Sequence, residues 1–157
     1  MVDITIEELN DSLDFSSFSS TGEEVNLFLH QKGRDQQQKH FTNIVTLQLN
    51  KKVIGYIAIC CGFVRIQLKG EKEKMRIPGL FIGQLGIDAK YEGYNLGQLL
   101  IQHTIGMAHQ INQQIACRIL FLESLDNKVE YYKKKHFAFV ERPRDNRNII
   151  YYDLFSE

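Results

Sequence analysis

The stretch "LFIGQLGIDAKYEGYNLGQLL", residues 80–100, decides the fold. Its first nine residues form a near-continuous apolar run carrying glycines, the pattern of a strand buried on both faces at the centre of a sheet. Leu96, Leu99 and Leu100, with Met107 further on, recur at helical spacing and predict an amphipathic helix from about Leu96 to His109. Between strand and helix lies a loop with Gly93, and Gly97 opens the helix. A helix N-terminus offers unpaired backbone N–H groups and a partial positive charge, so a glycine-bearing turn there can hold a pyrophosphate without any basic side chain. The plainer reading of the same two glycines is an ordinary strand-to-helix turn.

Working outward, "NIVTLQLN" (43–50) alternates apolar and polar residues, and "KKVIGYIAICC" (51–61) follows a turn at Asn50 and Lys51, which predicts a β-hairpin. "FVRIQL" (63–68) reads as the next strand of a meander, and "KGEKEKMRIPG" (69–79) as a charged loop leading into the central strand. Upstream, "TGEEVNLFL" (21–29) carries a capping box from Thr21 to Glu24 ahead of Val25, Phe28 and Leu29 at helical spacing. Its continuation, "HQKGRDQQQKH" (30–40), is polar all round, which fits either a solvated extension or a loop shaped by what it binds. Downstream come the buried strand "RILFLES" (118–124), a short helix "NKVEYYKKK" (127–135), and strand candidates "FAFV" and "IIYYDLF". Pro78 and Pro143 are expected in loops. Four strands around a βαβ crossover make the chain mixed α/β.

At 157 residues and 43% apolar composition the chain suits one buried domain, with no linker or repeat to divide it. No apolar run reaches eighteen residues and the first residues are acidic and polar, so a soluble, cytoplasmic protein is expected. Cys60 and Cys61 lie in an apolar run and Cys117 far away, which predicts buried reduced thiols. A formal charge of zero provides no global field for a polyanion, so nucleic acid would need a local patch.

The order of these segments resembles the GCN5-related N-acetyltransferases, whose signature Q/R-x-x-G-x-G/A follows a strand ending in L-x-V-D. "LGID" and "EGYNLG" align with it: Glu92 stands at the Q/R position, Gly93 follows, Asn95 replaces the central glycine and Gly97 keeps the last. "LFLESLDNKVEYYKKKHFAFV" (120–140) resembles the family's later strand, asparagine-bearing turn and F-Y-x-x-x-G-F. Tyr131 and Tyr132 match the aromatic pair, Phe137 the final aromatic, and His136 takes the glycine's place. The similarity spans roughly residues 43 to 140. "FSSTGEEVNLFL" and "IPGLFIGQLGID" are similar to the compact, toxin-like branch.

The resemblance implies a mixed α+β fold: a central, twisted, mostly antiparallel sheet with a βαβ acyl-CoA-binding core, as a single N-acyltransferase domain over residues 1–157. It implies transfer of an acetyl group from acetyl-CoA to a primary amine, with no metal. Cofactor binding would fall to Leu85, Gly86 and Ile87, pairing with pantetheine like an added strand, and to Glu92, Gly93, Tyr94, Asn95, Leu96, Gly97 and Gln98 around the pyrophosphate. Asn127 would either reach the cofactor or cap the short helix. Tyr132 would protonate the departing thiolate and Glu123 would take the proton of the substrate ammonium. The plainer reading of Tyr132 is a half-buried packing residue. Asn tolerates left-handed backbone angles, so Asn95 need not close the cradle. A carboxylate at Glu92 repels a pyrophosphate unless its side chain points away. His103, on the apolar helix face, reads as a hydrogen-bonded core residue. Lys133, Lys134 and Lys135 read as a solvated face, with an adenosine 3′-phosphate or an RNA backbone as the other reading. The acceptor is left open between small amines, a protein amine and charged tRNA, with a homodimer also open. A noncatalytic acyl-CoA-binding regulator is the alternative from another class.

Overall fold

The computed structural model describes residues 3–125, 128–135, 137–144 and 147–156. Its strands follow the hydrogen-bonded order β1, β2, β3, β4, β5, β7, β6. They are β1 (Thr5–Glu8), β2 (Asn43–Leu49), β3 (Lys52–Ile66), β4 (Met75–Ile87), β5 (Ile119–Leu125), β6 (Ala138–Arg144) and β7 (Arg147–Asp153). The β4/β5 pair is parallel, and α3 (Leu96–Asn112) makes the crossover between its two strands. The other pairs of known register are antiparallel. The expected mixed α+β, mostly antiparallel architecture is what the chain adopts. By contact density the chain forms two compact units, Met1–Cys60 with Gly83–His103, and Cys61–Ile82 with Thr104–Glu157.

In the first unit the β2/β3 hairpin turns on Asn50 and Lys51, both at positive φ (51° and 68°). Two consecutive left-handed residues are what a tight two-residue hairpin requires, because that twist matches the flanking strands. The strand β1, not foreseen from the sequence, pairs with β2 from Thr5↔Gln48 to Glu8↔Val45. Helical structure is continuous from Glu23: α1 (Glu23–Leu27), a π-helical stretch (Phe28–Gly33) and α2 (Arg34–Gln38). Of the two readings of residues 30–40, the helical extension holds, helical to Gln38 and mostly exposed, with Gly33 and Gln37 as its buried residues. Gln37 Nε2 donates to the Leu9 carbonyl (2.8 Å) and its Oε1 accepts from the Ile44 amide (3.2 Å). The Tyr56 hydroxyl donates to the Val25 carbonyl at 2.6 Å, close to where the ladder changes from α to π. Tyr56, Phe18, Leu29 and Ile44 are core residues here.

Several expectations are corrected. The capping box does not form: Gly22 is the N-cap of α1 and makes no side-chain cap bond. "FVRIQL" is no separate strand, since β3 runs unbroken to Ile66. Both prolines lie inside strands, Pro78 in β4 and Pro143 in β6. Each sits where pairing is irregular or specialised. The Pro78 carbonyl accepts from the Arg118 amide (2.9 Å), and the β6/β7 register shifts between Val140 and Arg144. Cys117 is buried, but Cys60 is only half-buried and Cys61 is exposed; none of the three forms a disulfide.

In the second unit Gly79 allows β4 to approach β5, where a Cβ would fall 2.2 Å from the Ile119 carbonyl oxygen. The parallel ladder spans only Gly79↔Ile119, Leu80↔Leu120 and Phe81↔Phe121. On its other side β5 pairs with β7 along its whole length, Ile119↔Asp153 to Leu125↔Arg147. Val64, Ile77, Ile119, Phe121 and Tyr151 form the core of this unit.

Candidate active site

The loop after β4 is anchored by Asp88, a buried carboxylate given no role from the sequence. Its Oδ1 accepts from the Lys90 amide (2.9 Å) and its Oδ2 from the Ser19 amide (3.1 Å), while the Ala89 amide donates to the Ser19 carbonyl (2.9 Å). An aspartate ending an apolar run ahead of a loop was the available signal, since such side chains bond to backbone two residues on. A 3₁₀ turn (Ala89–Tyr91) follows, then Glu92 in extended conformation. Gly93 takes φ +88° with nothing within 4 Å of where a Cβ would stand, and Asn95 takes φ +58°. Asn95 is therefore in the left-handed region, as its chemistry permits. The Gln98 amide donates to the Asn95 carbonyl (3.2 Å), starting a helix of 17 residues.

Residues 92–95 are exposed, Tyr94 at 72%, whereas Leu96 and Gly97 are buried and Gln98 is half-buried. The first-turn amides of α3 have no intrahelical acceptor by position. With two left-handed backbone positions and open space at Gly93, the loop fits a pyrophosphate taken up by main-chain N–H groups. Glu92 does not point freely: its Oε1 accepts from the Thr21 hydroxyl at 3.1 Å. Sequence reading missed Thr21, because the two residues are 71 positions apart.

Leu85 and Ile87 are half-buried and Gly86 is buried. A Cβ on Gly86 would lie 2.1 Å from Val25 Cγ1, so helix α1 rests on this backbone. The apolar stripe of α3 differs from the expected one. Leu96, Leu100, Ile101, Thr104 and Ala108 are buried, while Leu99 is 42% exposed and Met107 half-buried. His103 is exposed, which overturns its reading as a core histidine.

In the second unit, Tyr132 sits on α4 (Val129–Lys133) and is 7% exposed. Its ring meets Phe137 and Tyr131 edge-on, at 5.5 and 5.1 Å between centroids. Burial, and secondarily Tyr131, push its phenol above the ordinary tyrosine value. Its hydroxyl has no hydrogen-bond partner among the described residues. Tyr131 is 44% exposed, with Lys135 Nζ 4.7 Å from its ring centroid. Glu123 is exposed on β5. Asn127 and His136 lie outside the described residues. Among the described residues no group of His, Cys, Asp or Glu could hold a metal ion, and no helix is long and apolar enough to cross a membrane.

The fold, with α3 as the crossover of a βαβ unit, matches solved structures along nearly the whole chain. This is the GCN5-related N-acetyltransferase fold. No family profile matches the chain. It is similar to AtaT, a toxin of this fold solved in complex with acetyl-methionyl-tRNAfMet: TM-score 0.81 at 25% identity over 94% of each chain. The AtaTR complex with acetyl-CoA gives 0.79 at 26%, covering 97% of this chain and 94% of that one. A relative from Mycobacterium tuberculosis (strain ATCC 25618 / H37Rv), a tRNA-acetylating toxin, is 23% identical over 146 residues, covering 90% of this chain and 87% of the relative.

Proposed function

We propose that this chain is an acetyl-CoA-dependent N-acetyltransferase whose acceptor is the amine of an aminoacyl-tRNA. The likeness to AtaT bound to its acetylated tRNA product, extending over 94% of both chains, carries this reading. Residues 1–157 are taken as a single acyltransferase domain acting in the cytoplasm, where charged tRNA and acetyl-CoA occur together. AtaT is also solved bound to the C-terminus of the antitoxin AtaR, and an antitoxin is the proposed protein partner here.

The chemistry divides among residues whose geometry suits each task. Backbone amides of residues 93–97 hold the pyrophosphate, and the main chain of Leu85, Gly86 and Ile87 pairs with pantetheine as an added strand. The short β4/β5 ladder supports that second role, because among the described residues its register runs only from Gly79↔Ile119 to Phe81↔Phe121. The neutral amine attacks the thioester carbonyl, a C–N bond forms, and the C–S bond breaks. Tyr132 gives its proton to the departing sulfur, and the surplus proton of the newly acylated nitrogen returns to the Tyr132 phenolate, directly or through water. The Tyr132 residue is 7% exposed, and burial raises its phenol pKa, which keeps the proton on the hydroxyl at neutral pH. The proton lost by the substrate ammonium goes to Glu123, directly or through water. A polyanion must find local charge on a chain with net charge zero, and Lys128, Lys134 and Lys135 flank the helix that carries Tyr132.

The test is acetyl transfer from labelled acetyl-CoA to a panel of aminoacyl-tRNAs, with free-thiol release as the second readout. Acetylated aminoacyl-tRNA is expected. Thiol release with small amines alone would move the acceptor, and acetyl-CoA binding without any turnover would leave only the noncatalytic regulator.

A further inference from the structure

Glu92 is exposed and immediately precedes Gly93, the residue whose positive φ and open flank shape the loop before α3. Its orientation is fixed from another part of the chain. Residues 19–21 and 88–92 are joined three times: by the Ser19 amide on Asp88, the Ala89 amide on the Ser19 carbonyl, and the Thr21 hydroxyl on Glu92. Asn26 holds Ser20 on both sides, its Oδ1 accepting from the Ser20 amide (2.7 Å) and its Nδ2 donating to the Ser20 carbonyl (2.9 Å). The Ser20 hydroxyl accepts from the Gly22 amide (3.1 Å). Thr21 is thus set between two tied residues. The first two joins fix its distance from the loop before any ligand arrives, so its bond to Glu92 costs little added ordering.

We propose that Thr21 is a positioning residue that holds the Glu92 carboxylate off the pyrophosphate, and that this pair sets the affinity for acetyl-CoA. The inference rests on the acyl-CoA reading of the loop. A carboxylate a few ångströms from a diphosphate weakens binding through repulsion that water and salt partly screen, and the hydroxyl that satisfies one of its oxygens limits how closely it approaches. The pair then acts as a brake on cofactor affinity: Glu92 opposes the anion and Thr21 moderates the opposition.

The experiment is a double-mutant cycle read as KM for acetyl-CoA with saturating acceptor, supported by direct titration. Glu92→Gln is expected to lower KM about 3- to 10-fold, an advantage that shrinks as salt is raised to about 1 M. Thr21→Val is expected to raise KM by a similar factor with kcat within about twofold, and Thr21→Ser to restore it. In the Glu92→Gln background Thr21→Val should have no further effect, because the charge it positioned is gone. S-acetylpantetheine, which lacks the pyrophosphate, should show the same KM with every variant. A Glu92→Gln that weakens acetyl-CoA binding would overturn the inference, as would a Thr21→Val that is equally harmful in both backgrounds or equally harmful with S-acetylpantetheine. If the unaltered chain shows no melting shift with millimolar acetyl-CoA, the acyl-CoA reading itself fails. A normal shift combined with a neutral Glu92→Gln overturns this inference alone.

Discussion

Val25 lies against Gly86 so closely that a Cβ on residue 86 would stand 2.1 Å from Val25 Cγ1 and 3.3 Å from its Cβ. The closeness ties the first helix to the part of β4 assigned to pantetheine, and it is paid for by a missing side chain. Gly86→Ala should therefore lower stability by about 1 to 3 kcal/mol through overpacking. Val25→Ala in the same chain removes the opposing methyls and should recover a large part of that loss. Thermal unfolding of the two single variants and the double variant measures this coupling, and additive effects would mean that the strain is relieved elsewhere.

At Tyr132 the hydroxyl is separable from the ring. Phe137 and Tyr131 pack on the ring, while the hydroxyl has no described partner. Tyr132→Phe should reduce kcat by about a hundred to ten thousandfold and leave the melting temperature nearly unchanged. Tyr131→Phe is the control, since neighbouring helical side chains diverge by about 100°. Because burial raises the phenol of Tyr132, the wild-type rate should not fall from loss of this proton anywhere below about pH 10. A rate lost in Tyr131→Phe alone would move the acid by one residue. Unfolding of Tyr132→Phe would return Tyr132 to packing.

The loop before α3 has two left-handed positions with different tolerances. Asn95→Gly should be neutral or slightly stabilising, because glycine adopts φ +58° without steric cost. Asn95→Val should cost about 1 to 2 kcal/mol and disturb the amide cradle. Gly93→Ala meets no atom, so its penalty is conformational alone, about 1 kcal/mol. Acetyl-CoA affinity should drop in Asn95→Val and Gly93→Ala but not in Asn95→Gly. Titration of the three variants checks this, and uniform affinities would place the phosphates elsewhere.

A pH-dependent contribution comes from the second unit. Arg118 Nε and its second guanidinium nitrogen donate to Asp153 Oδ1 and Oδ2 at 2.7 and 2.9 Å. This bond holds the Asp153 carboxyl below its ordinary range, assisted by the Phe155 amide. A carboxylate depressed in the folded state stabilises the protein above its unfolded pKa, about 3.9, and loses that effect as pH falls through the lower folded value. Asp153→Asn should cost about 1 kcal/mol at neutral pH, and the gap to wild type should close as pH drops below about 4. Denaturant melts at pH 3 and pH 7 test it.

Local pattern carried much of the fold. Alternation and the Asn50–Lys51 turn specified the β2/β3 hairpin, because a two-residue loop fixes its own register. The apolar run to Ile87, the glycine-bearing loop and the helical spacing from Leu96 specified the βαβ crossover and, with it, the loop before α3. Each of these features is set by residues within a few positions of one another.

What the tertiary structure decided lies at longer range. Pro78 belongs to a strand, where its carbonyl accepts from the Arg118 amide. The buried face of α3 was misplaced by one position at Leu99 and His103, since periodicity gives a stripe but not the rotation of the helix against its sheet. Strand β1 is short and exposed along most of its length, so only its pairing with β2 defines it. Thr21, read as a helix cap, instead bonds Glu92. Both uses satisfy the hydroxyl equally well in the sequence, and the choice was made by Asp88 and Ser19, which bring two segments 71 residues apart within hydrogen-bonding distance.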